Sequence, residues 1–339
     1  MTTTIHDVAR YAGVSIKTVS NVLNDRRHVS QATRDRVFDA VKVLDYRPNL
    51  SARSLRSGRS NLVALAVPEL TLAYFAHLAD DIIREADRRG LVVLIEQTRG
   101  GDRARELELL RSPRRRLTDG LLFSPLGMSQ EDAHLVEIGT PLVLLGERIF
   151  DARADHVTMQ NREAANAATA HLISRGRRRI AVLGAHPGEV VGSAALRLDG
   201  YRDALDEADI ELREELVVEV EMWHRANGAA AMRDLVARGV DFDGVFAMND
   251  ELALGAMRVM QEEGIRIPDD VALIGFDDVD EGRYSLPSLS TVDPGRAEIA
   301  RIALDVLLER VAGASLDDVP ARELRSQFRV VERESTRTS

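Results

Sequence analysis

Short apolar runs alternate with helix-like stretches through most of this 339-residue chain, from about residue 61 to residue 333. The runs are LVALAVPE, LVVLIEQT, GLLFSP, PLVLLGE, RIAVLGA, GVFAMND and VALIGFDD. Helical periodicity fills the intervals, as at Phe75–Arg89, Arg162–Arg175 and Glu251–Glu263. Because strands buried on both faces are apolar throughout, the pattern predicts parallel sheets covered by helices. The length fits two such Rossmann-like lobes, with a break near Gln160–Asn161.

Charge divides the chain into a basic N-terminal segment and an acidic body. Residues 1–60 hold 11 Lys and Arg against 5 Asp and Glu, an excess of +6. The remaining residues hold 34 against 50, an excess of −16, and the net charge is −10. Such asymmetry is typical of a DNA-binding module joined to a domain that does not bind DNA.

Three short helices are predicted within the basic segment. Thr4 and Asp7 have the spacing of a capping box, and Gly13 suits the turn that ends the first helix. Ser15 and Ser30 are candidate N-caps for the second and third helices. Two short helices joined by a Gly-containing turn, with a third to support them, predict a helix-turn-helix unit. A simple three-helix bundle is the alternative that these features leave open.

The second helix of such a unit enters the major groove of DNA and contacts bases from near its start. Lysine donates to guanine, an asparagine amide pairs with adenine, and isoleucine meets the thymine methyl group. Hydroxyl and amide side chains nearby suit phosphate contacts, which position the helix without reading sequence. The predicted contacts of this helix and its flanks are Ser15, Ile16, Lys17, Thr18, Ser20, Asn21 and Asn24.

The strand ends of the body predict a ligand site. Ligands of open parallel sheets bind at the carboxyl ends of strands. The residues that directly follow three predicted strands are Tyr74 and Phe75, Asn249 and Asp250, and Asp277 and Asp278. Carboxylate and amide groups give directional hydrogen bonds to hydroxyls, so we expect a small polar ligand here. Capping of the following turn is the alternative for the aspartates, and core packing for the two aromatic residues.

Two sets of segments carry a family resemblance. DVARYAGVS, TVSNVLN, VSQATRDRV and LDYRPN resemble the DNA-binding domain of the lactose-repressor/galactose-repressor family of bacterial transcription regulators. RLDGY, FAMNDELALGAM, IPDDVALIGFDD and PSLSTVD resemble that family's core, so the resemblance covers about residues 4–333. It implies a repressor with an N-terminal all-α helix-turn-helix domain and an α/β core of two Rossmann-like lobes, similar to type I periplasmic binding proteins. It also puts Ile16, Lys17 and Asn21 at the base-reading positions.

The resemblance further implies a hinge in the segment NLSARSLRSGRSN that becomes helical on operator DNA. Leu55 matches the family's wedge between base pairs, which kinks the duplex, while Ala52 allows close helix approach and Arg53 reaches the backbone or groove. A flexible linker is the alternative, and both descriptions are compatible. The implied domains are 1–48 for DNA binding, 49–60 for the hinge, and 61–333 for the core, with an N-lobe of about 61–160 and 291–322 and a C-lobe of about 161–290 and 323–333.

For the effector, the resemblance adds Arg197 to Asn249 and Asp277, and Trp223 matches an aromatic position of sugar-binding members. The predicted effector-binding set is Tyr74, Phe75, Arg197, Trp223, Asn249 and Asp277. A fork of guanidinium donors and an aromatic face suit a sugar, which we expect as the effector. Purine-type corepression is the alternative. A structural ion pair for Arg197 and simple packing for Trp223 stay open at this point.

Several classes of function lack their motifs. The chain has no cysteine, its eight histidines lack metal-ligand spacing, and GxSxG, HExxH, GxxxxGKS/T and GxGxxG are absent. We therefore expect no catalytic residue, no metal and no cofactor. No apolar export segment begins the chain, which disfavours a secreted solute-binding protein, and we expect a cytoplasmic protein without membrane contact. The C-terminal FRVVERESTRTS has no leucine heptads, so we expect a homodimer on palindromic operator DNA.

Overall fold

The computed structural model describes residues 3–23, 29–46, 59–186 and 188–337. The chain forms two compact units, Met1–Ser60 and Asn61–Ser339. Within the described ranges, no helix combines the length and apolar character needed to cross a membrane.

The described residues of the smaller unit form three short helices, α1 (Ile5–Ala12), α2 (Ile16–Leu23) and α3 (Gln31–Val43). The capping box before α1 is formed, and the Asp7 carboxylate accepts a 3.0 Å hydrogen bond from the Thr4 backbone N–H. Gly13 ends α1 with a φ of +63°, a left-handed conformation that glycine adopts without strain. The three helices predicted from the sequence are confirmed.

The apolar faces of these helices meet in a small core. Val8 of α1, Val19 and Val22 of α2, and Val37 and Ala40 of α3 are buried together. Because two valines of α2 point inward, the opposite face of that helix is turned outward.

Twelve strands are formed by the described residues of the larger unit. They are β1 (Leu62–Val67), β2 (Val92–Gln97), β3 (Gly120–Phe123), β4 (Leu142–Leu145), β5 (Asp155–Thr158), β6 (Ile180–Ala185), β7 (Val217–Glu219), β8 (Gly244–Ala247), β9 (Ala272–Ile274), β10 (Thr291–Asp293), β11 (Glu323–Arg325) and β12 (Arg329–Val331). A six-stranded parallel sheet has the order β11-β5-β4-β3-β1-β2, and a four-stranded parallel sheet has the order β7-β6-β8-β9. We call the parts built on these sheets the N-lobe and the C-lobe. β10 and β12 form a separate antiparallel pair.

Eight helices connect or cover the strands of the described core. They are α4 (Ala73–Arg88), α5 (Arg103–Arg111), α6 (Asn161–Ser174), α7 (Ser193–Glu207), α8 (Arg225–Ala237), α9 (Asp250–Glu262), α10 (Asp280–Arg283) and α11 (Arg296–Val311). The central strands β1, β3, β4, β6 and β8 are apolar on both faces and almost entirely buried. Parallel sheets covered by helices are therefore confirmed, and so is the predicted two-lobed α/β fold class behind an all-α N-terminal unit.

The last return from the N-lobe to the C-lobe lies a few residues later than the sequence predicts. The segment from residue 323 was expected in the C-lobe, but β11 pairs in parallel with β5, with Leu324 opposite Val157. The buried Asp155 carboxylate holds this strand, because it accepts hydrogen bonds from the Arg322 backbone N–H at 3.0 Å and from Arg310 Nε at 2.6 Å. A buried carboxylate needs such partners, and they keep the chain on the N-lobe through Arg325.

Candidate effector site and recognition helix

A cavity of about 160 Å³ lies between the two lobes of the larger unit. Side chains from both lobes form its wall at the carboxyl ends of the parallel strands, where ligands of such sheets bind. The wall includes every residue of the predicted effector-binding set: Tyr74, Phe75, Arg197, Trp223, Asn249 and Asp277. The structure thus brings together residues that are far apart in the sequence, and their role in binding stays a prediction.

Local structure positions the C-lobe residues. Asn249 follows β8 and caps α9, because its Oδ1 accepts a 2.8 Å hydrogen bond from the Leu252 backbone N–H. Its Nδ2 donates to the Trp223 carbonyl at 3.0 Å. The Trp223 indole N–H in turn donates to the Gly184 carbonyl, at 3.0 Å, just before the end of β6. The polar atoms of Trp223 are thus hydrogen-bonded to other protein groups, and its ring contributes to the cavity wall.

Arg197 projects from α7 into the centre of the C-lobe wall and is only 3% exposed. Its Nε donates to Asn161 Oδ1 at 2.7 Å, and one terminal nitrogen donates to the Met248 carbonyl. The guanidinium carbon lies 3.6 Å from the centroid of the Phe276 ring and 5.3 Å from that of Trp223. Burial lowers the pKa of Arg197, although the nearby Asp277 opposes that shift. Arg197 is therefore a rigid cation between two aromatic faces.

Asp277 follows β9 and is buried beside Arg197, with one carboxylate oxygen 3.9 Å from a terminal guanidinium nitrogen. Its φ of +114° is rare for a residue with a side chain, and its backbone N–H donates to the Val292 carbonyl at 2.8 Å. Burial raises the pKa of Asp277 to about 7, while Arg197 and Arg296 act in the opposite direction. A strained, buried carboxylate at a cavity wall is typical of a binding residue.

Tyr74 and Phe75 contribute the N-lobe side of the cavity from the first turn of α4. Their rings meet edge to face with centroids 5.2 Å apart. Burial raises the pKa of Tyr74, so its hydroxyl stays protonated and able to donate a hydrogen bond. The core-packing alternative also holds in part, since both rings pack against the main core cluster.

The strand-end rule also selected Asp250 and Asp278, which the structure keeps out of the cavity wall. Asp250 is fully buried and accepts hydrogen bonds from Thr291 Oγ1 at 2.6 Å and from the Val279 backbone N–H at 2.9 Å. Asp278 pairs with Arg283 at 2.9 Å and with Arg333. Both carboxylates join elements of the C-lobe to the strands that return to it, which is a structural role.

The charged or ionisable residues of the cavity wall that the sequence analysis did not select are Glu147, Arg148, His186, Glu189 and Glu251. The strand-end rule would have found His186, which directly follows β6, and Glu147, which lies two residues after the end of β4. The Glu147 carboxylate accepts hydrogen bonds from Thr158 Oγ1 at 2.6 Å and from Ser193 Oγ at 2.7 Å, and the second bond joins the lobes. Glu189 lies in the loop before α7, and its place in the wall depends on tertiary contacts alone.

In the smaller unit, α2 presents the predicted DNA contacts. Ser15 caps the helix, because its Oγ accepts a 3.1 Å hydrogen bond from the Thr18 backbone N–H. Lys17 is exposed, Asn21 and Ser20 are half-buried, and Ile16 packs partly against the small core. The predicted contacts Asn24, Ala52, Arg53 and Leu55 lie outside the described residues.

Comparison with known proteins matches both units. Residues 4–49 match the model "Bacterial regulatory proteins, lacI family", and residues 169–336 match "Periplasmic binding protein-like domain". The HTH-type transcriptional repressor PurR of Vibrio atlanticus (strain LGP32) is 31% identical over 99% of this chain and 99% of its own length.

Solved structures agree. A LacI-family transcriptional regulator from Sanguibacter keddieii DSM 10542 is 54% identical, with a TM-score of 0.74, over 81% of this chain and 98% of the other. The transcriptional regulator CelR in complex with cellobiose is 31% identical, with a TM-score of 0.72, over 98% and 99%. The Lac repressor dimer, bound to operator and the anti-inducer ONPF, is 27% identical, with a TM-score of 0.84, over 99% of both chains.

A helix-turn-helix unit that precedes, in the sequence, a two-lobed core with a cavity between its lobes defines a ligand-controlled bacterial transcription regulator. The chain belongs to the LacI family of bacterial regulatory proteins. It is a DNA-binding transcriptional repressor with an effector-binding domain, in a family of regulators rather than of enzymes.

Proposed function

We propose that this repressor binds a palindromic operator as a homodimer and that a sugar in the cavity controls its operator affinity. The observation that supports the sugar most directly is the composition of the cavity wall. Asp277 and Asn249 offer directional polar groups beside the ring of Trp223, which suits the apolar face of a sugar. The similarity to CelR, whose structure contains cellobiose, favours the same class of ligand.

Purine-type corepression is the second candidate, and the similarity to PurR over nearly the whole chain favours it. The ring pair of Tyr74 and Phe75 offers an edge-to-face surface that a flat base could also contact. The two candidates differ in the sign of their effect. A sugar inducer weakens operator binding, whereas a corepressor strengthens it.

The proposed control acts through bonds between the lobes. Glu147 accepts from Ser193 across the cleft, and Glu69 of the N-lobe pairs with His224 of the C-lobe at 3.0 Å. An effector that binds between the lobes stabilises one orientation of the two lobes relative to another. The hinge at 49–60 transmits this change to the DNA-binding domain at 1–48. The change in operator affinity cannot exceed the difference in effector affinity between the two states.

On the DNA side, we propose that Ile16, Lys17 and Asn21 read bases and that Ser15, Thr18, Ser20 and Asn24 position the helix on phosphates. Ala52, Arg53 and Leu55 act in the minor groove next to the two half-sites. A protein of this function works where the bacterial chromosome lies, in the cytoplasm.

The homodimer is supported by exposed apolar side chains on the larger unit. Val92 and Leu94 on the edge strand β2 are 56% and 40% exposed, and Tyr284 and Leu286 after α10 are 86% and 81% exposed. Burial of such apolar side chains in an interface with a second copy of the chain is more favourable than their exposure to water. The similar Lac repressor was solved as a dimer on its operator.

Selection of bound duplexes from a random pool at fixed salt tests the DNA side, followed by titration of the selected operator complex with sugars and purine bases. We expect the selection to recover one palindromic sequence, and we expect a sugar to release the protein from that DNA. Strengthened binding with a purine base would replace the main proposal with the second candidate. Recovery of no preferred sequence, with and without these ligands, would contradict sequence-specific reading by α2.

A further inference from the structure

The cavity wall contains four carboxylates but only two guanidinium groups. The acidic residues are Glu147, Glu189, Glu251 and Asp277, and the basic residues are Arg148 and Arg197. We propose that the cavity selects an uncharged effector and rejects phosphorylated ones, because Glu189 neutralises Arg148 and so removes the cation that would bind a phosphate. This inference rests on the proposed function and names the class of ligand within it.

Arg197 has little capacity left for an anionic ligand. Its Nε is used by Asn161, one terminal nitrogen by the Met248 carbonyl, and the other approaches Met159 Sδ at 3.5 Å and Asp277 at 3.9 Å. Its charge is thus already shared with a buried carboxylate. A phosphate next to Arg197 would also stand beside Asp277, and in a buried site each of these groups strongly disfavours the ionised form of the other.

Arg148 is the remaining cation, and Glu189 holds it. One terminal nitrogen of Arg148 lies 3.2 Å from Glu189 Oε2, and the Glu189 side chain is only 8% exposed. The same carboxylate accepts from the backbone N–H groups of Ala194 and Ala195, at 3.1 and 3.3 Å, at the start of α7. Burial opposes its ionisation, but the bond from His186 and the charge of Arg148 keep the pKa of Glu189 below its ordinary value. Glu189 is therefore a fixed anion.

The loop geometry makes the pair between Arg148 and Glu189 hard to separate. A Cβ atom at Gly192 would lie 2.2 Å from Glu189 Oε1 and 3.3 Å from the Arg148 terminal nitrogen. The backbone of this loop thus packs directly on the two side chains. Arg148 belongs to the N-lobe and Glu189 to the C-lobe, so the pair also joins the lobes at the cavity wall.

The charges of the other two glutamates of the wall, Glu147 and Glu251, are not neutralised by a cation of the wall. Glu147 receives only neutral donors, from Thr158, the Met159 backbone and Ser193. Glu251 is paired with Arg225, at 2.6 Å, which is not part of the cavity wall. A phosphate would enter a site with an excess of carboxylates, in which no described side chain of the wall offers an unpaired cation, and this is a strongly unfavourable position for an anion.

A neutral hydroxyl ligand finds better partners. The Asp277 carboxylate has its closest cation at 3.9 Å and can accept from a hydroxyl. His186 Nε2 is buried and has no hydrogen-bond partner within the described residues, although the other ring nitrogen is paired with Glu189 at 2.8 Å. Because the Glu189 carboxylate accepts from Nδ1–H, Nε2 of the neutral ring is an acceptor, and a ligand hydroxyl can donate to it. His186 is thus a second specificity-determining residue.

Trp223 makes a direct test possible because it is the single tryptophan of the chain and lies in the cavity wall. Its fluorescence in the full-length protein reports occupancy. Matched pairs are titrated: cellobiose and cellobiose 6-phosphate, ribose and ribose 5-phosphate, and inosine and inosine monophosphate. We expect the neutral member of a responding pair to bind about 100-fold more tightly than its phosphate ester. Equal or tighter binding of the ester would overturn the inference. A response to inosine, with none to inosine monophosphate, cellobiose or ribose, would favour the purine candidate over a simple sugar and still support the selection against charge.

The variant Glu189→Gln releases Arg148 while keeping an acceptor for the start of α7. We expect the fluorescence response of this variant to inorganic phosphate, and to the phosphate ester of any responding pair, to appear at concentrations at least about 10-fold lower than in the unmodified protein. The double variant Glu189→Gln with Arg148→Gln should lose the gain, and Glu207→Gln, an exposed residue at the end of α7, is the matched control. If no pair responds, phosphate decides the question: binding by the unmodified protein as tight as by Glu189→Gln overturns the inference.

Discussion

One terminal nitrogen of Arg197 lies 3.9 Å from an Asp277 carboxylate oxygen, and both side chains are buried. The separation is too long for a hydrogen bond but short enough for strong electrostatic attraction in a site with little water. The two residues come from a helix and from a strand end of the same lobe, and both line the cavity. Their arrangement leads to two predictions that do not require the effector to be known.

Asp277→Asn should change how stability depends on pH. The pKa of Asp277 is about 7 in the folded protein against an ordinary value of 3.8, so the folded state binds this proton more tightly. The stability contributed by the protonated group is fully present below pH 3.8 and is lost as pH rises through 7. The variant, measured against the unmodified protein in urea, should therefore gain on the order of 2 kcal/mol in relative free energy of unfolding between pH 5 and pH 8. Parallel pH curves for the two proteins would contradict the raised pKa.

Arg197→Ala should destabilise the larger unit and remove the response to effector. The change leaves Asp277 buried without its cation and the Met248 carbonyl without its donor, which costs about 3–5 kcal/mol. Urea unfolding measures the loss. Operator binding should survive at temperatures where the variant is folded, because the residues proposed to contact DNA lie in the other unit. A folded variant with an unchanged effector response would remove Arg197 from the effector site.

Lys17→Ala should weaken operator binding by about 1–3 kcal/mol and relax the preference at one base position. Lys17 is exposed on α2, so the melting temperature should stay unchanged. Binding to the selected operator and to its single-base variants at fixed salt measures the effect. An equal loss on every duplex would instead assign the side chain to a phosphate.

Leu55→Ala should weaken operator binding and leave effector binding intact, because a shorter side chain cannot wedge between base pairs. Operator titration checks the first part, and Trp223 fluorescence with the effector checks the second. Unchanged operator affinity would contradict the wedge role that the family resemblance implies.

The accuracy of the sequence predictions followed the kind of signal behind them. Cap residues such as Thr4 and Ser30 act within one turn of chain, and both helices begin where their caps predict. The strand-end rule found Asn249 and Asp277 because parallel strands place their carboxyl ends at one edge of a sheet. The same rule also selected Asp250 and Asp278, since nothing local distinguishes a carboxylate that faces the cavity from one that bonds inside the lobe. Arg197 lies on a helix, and only the family resemblance indicated it.

The sequence by itself determined the architecture: apolar periodicity and caps are local properties, and they specify which faces are buried and where each helix begins. It also determined the separation of a basic helix-turn-helix unit from an acidic core. Only the tertiary structure decided which charges meet. The pair between Arg148 and Glu189, and the parallel pairing of β11 with β5, join segments far apart in the chain. Such contacts depend on how packed lobes and loops bring remote groups together, and no local pattern encodes that distance.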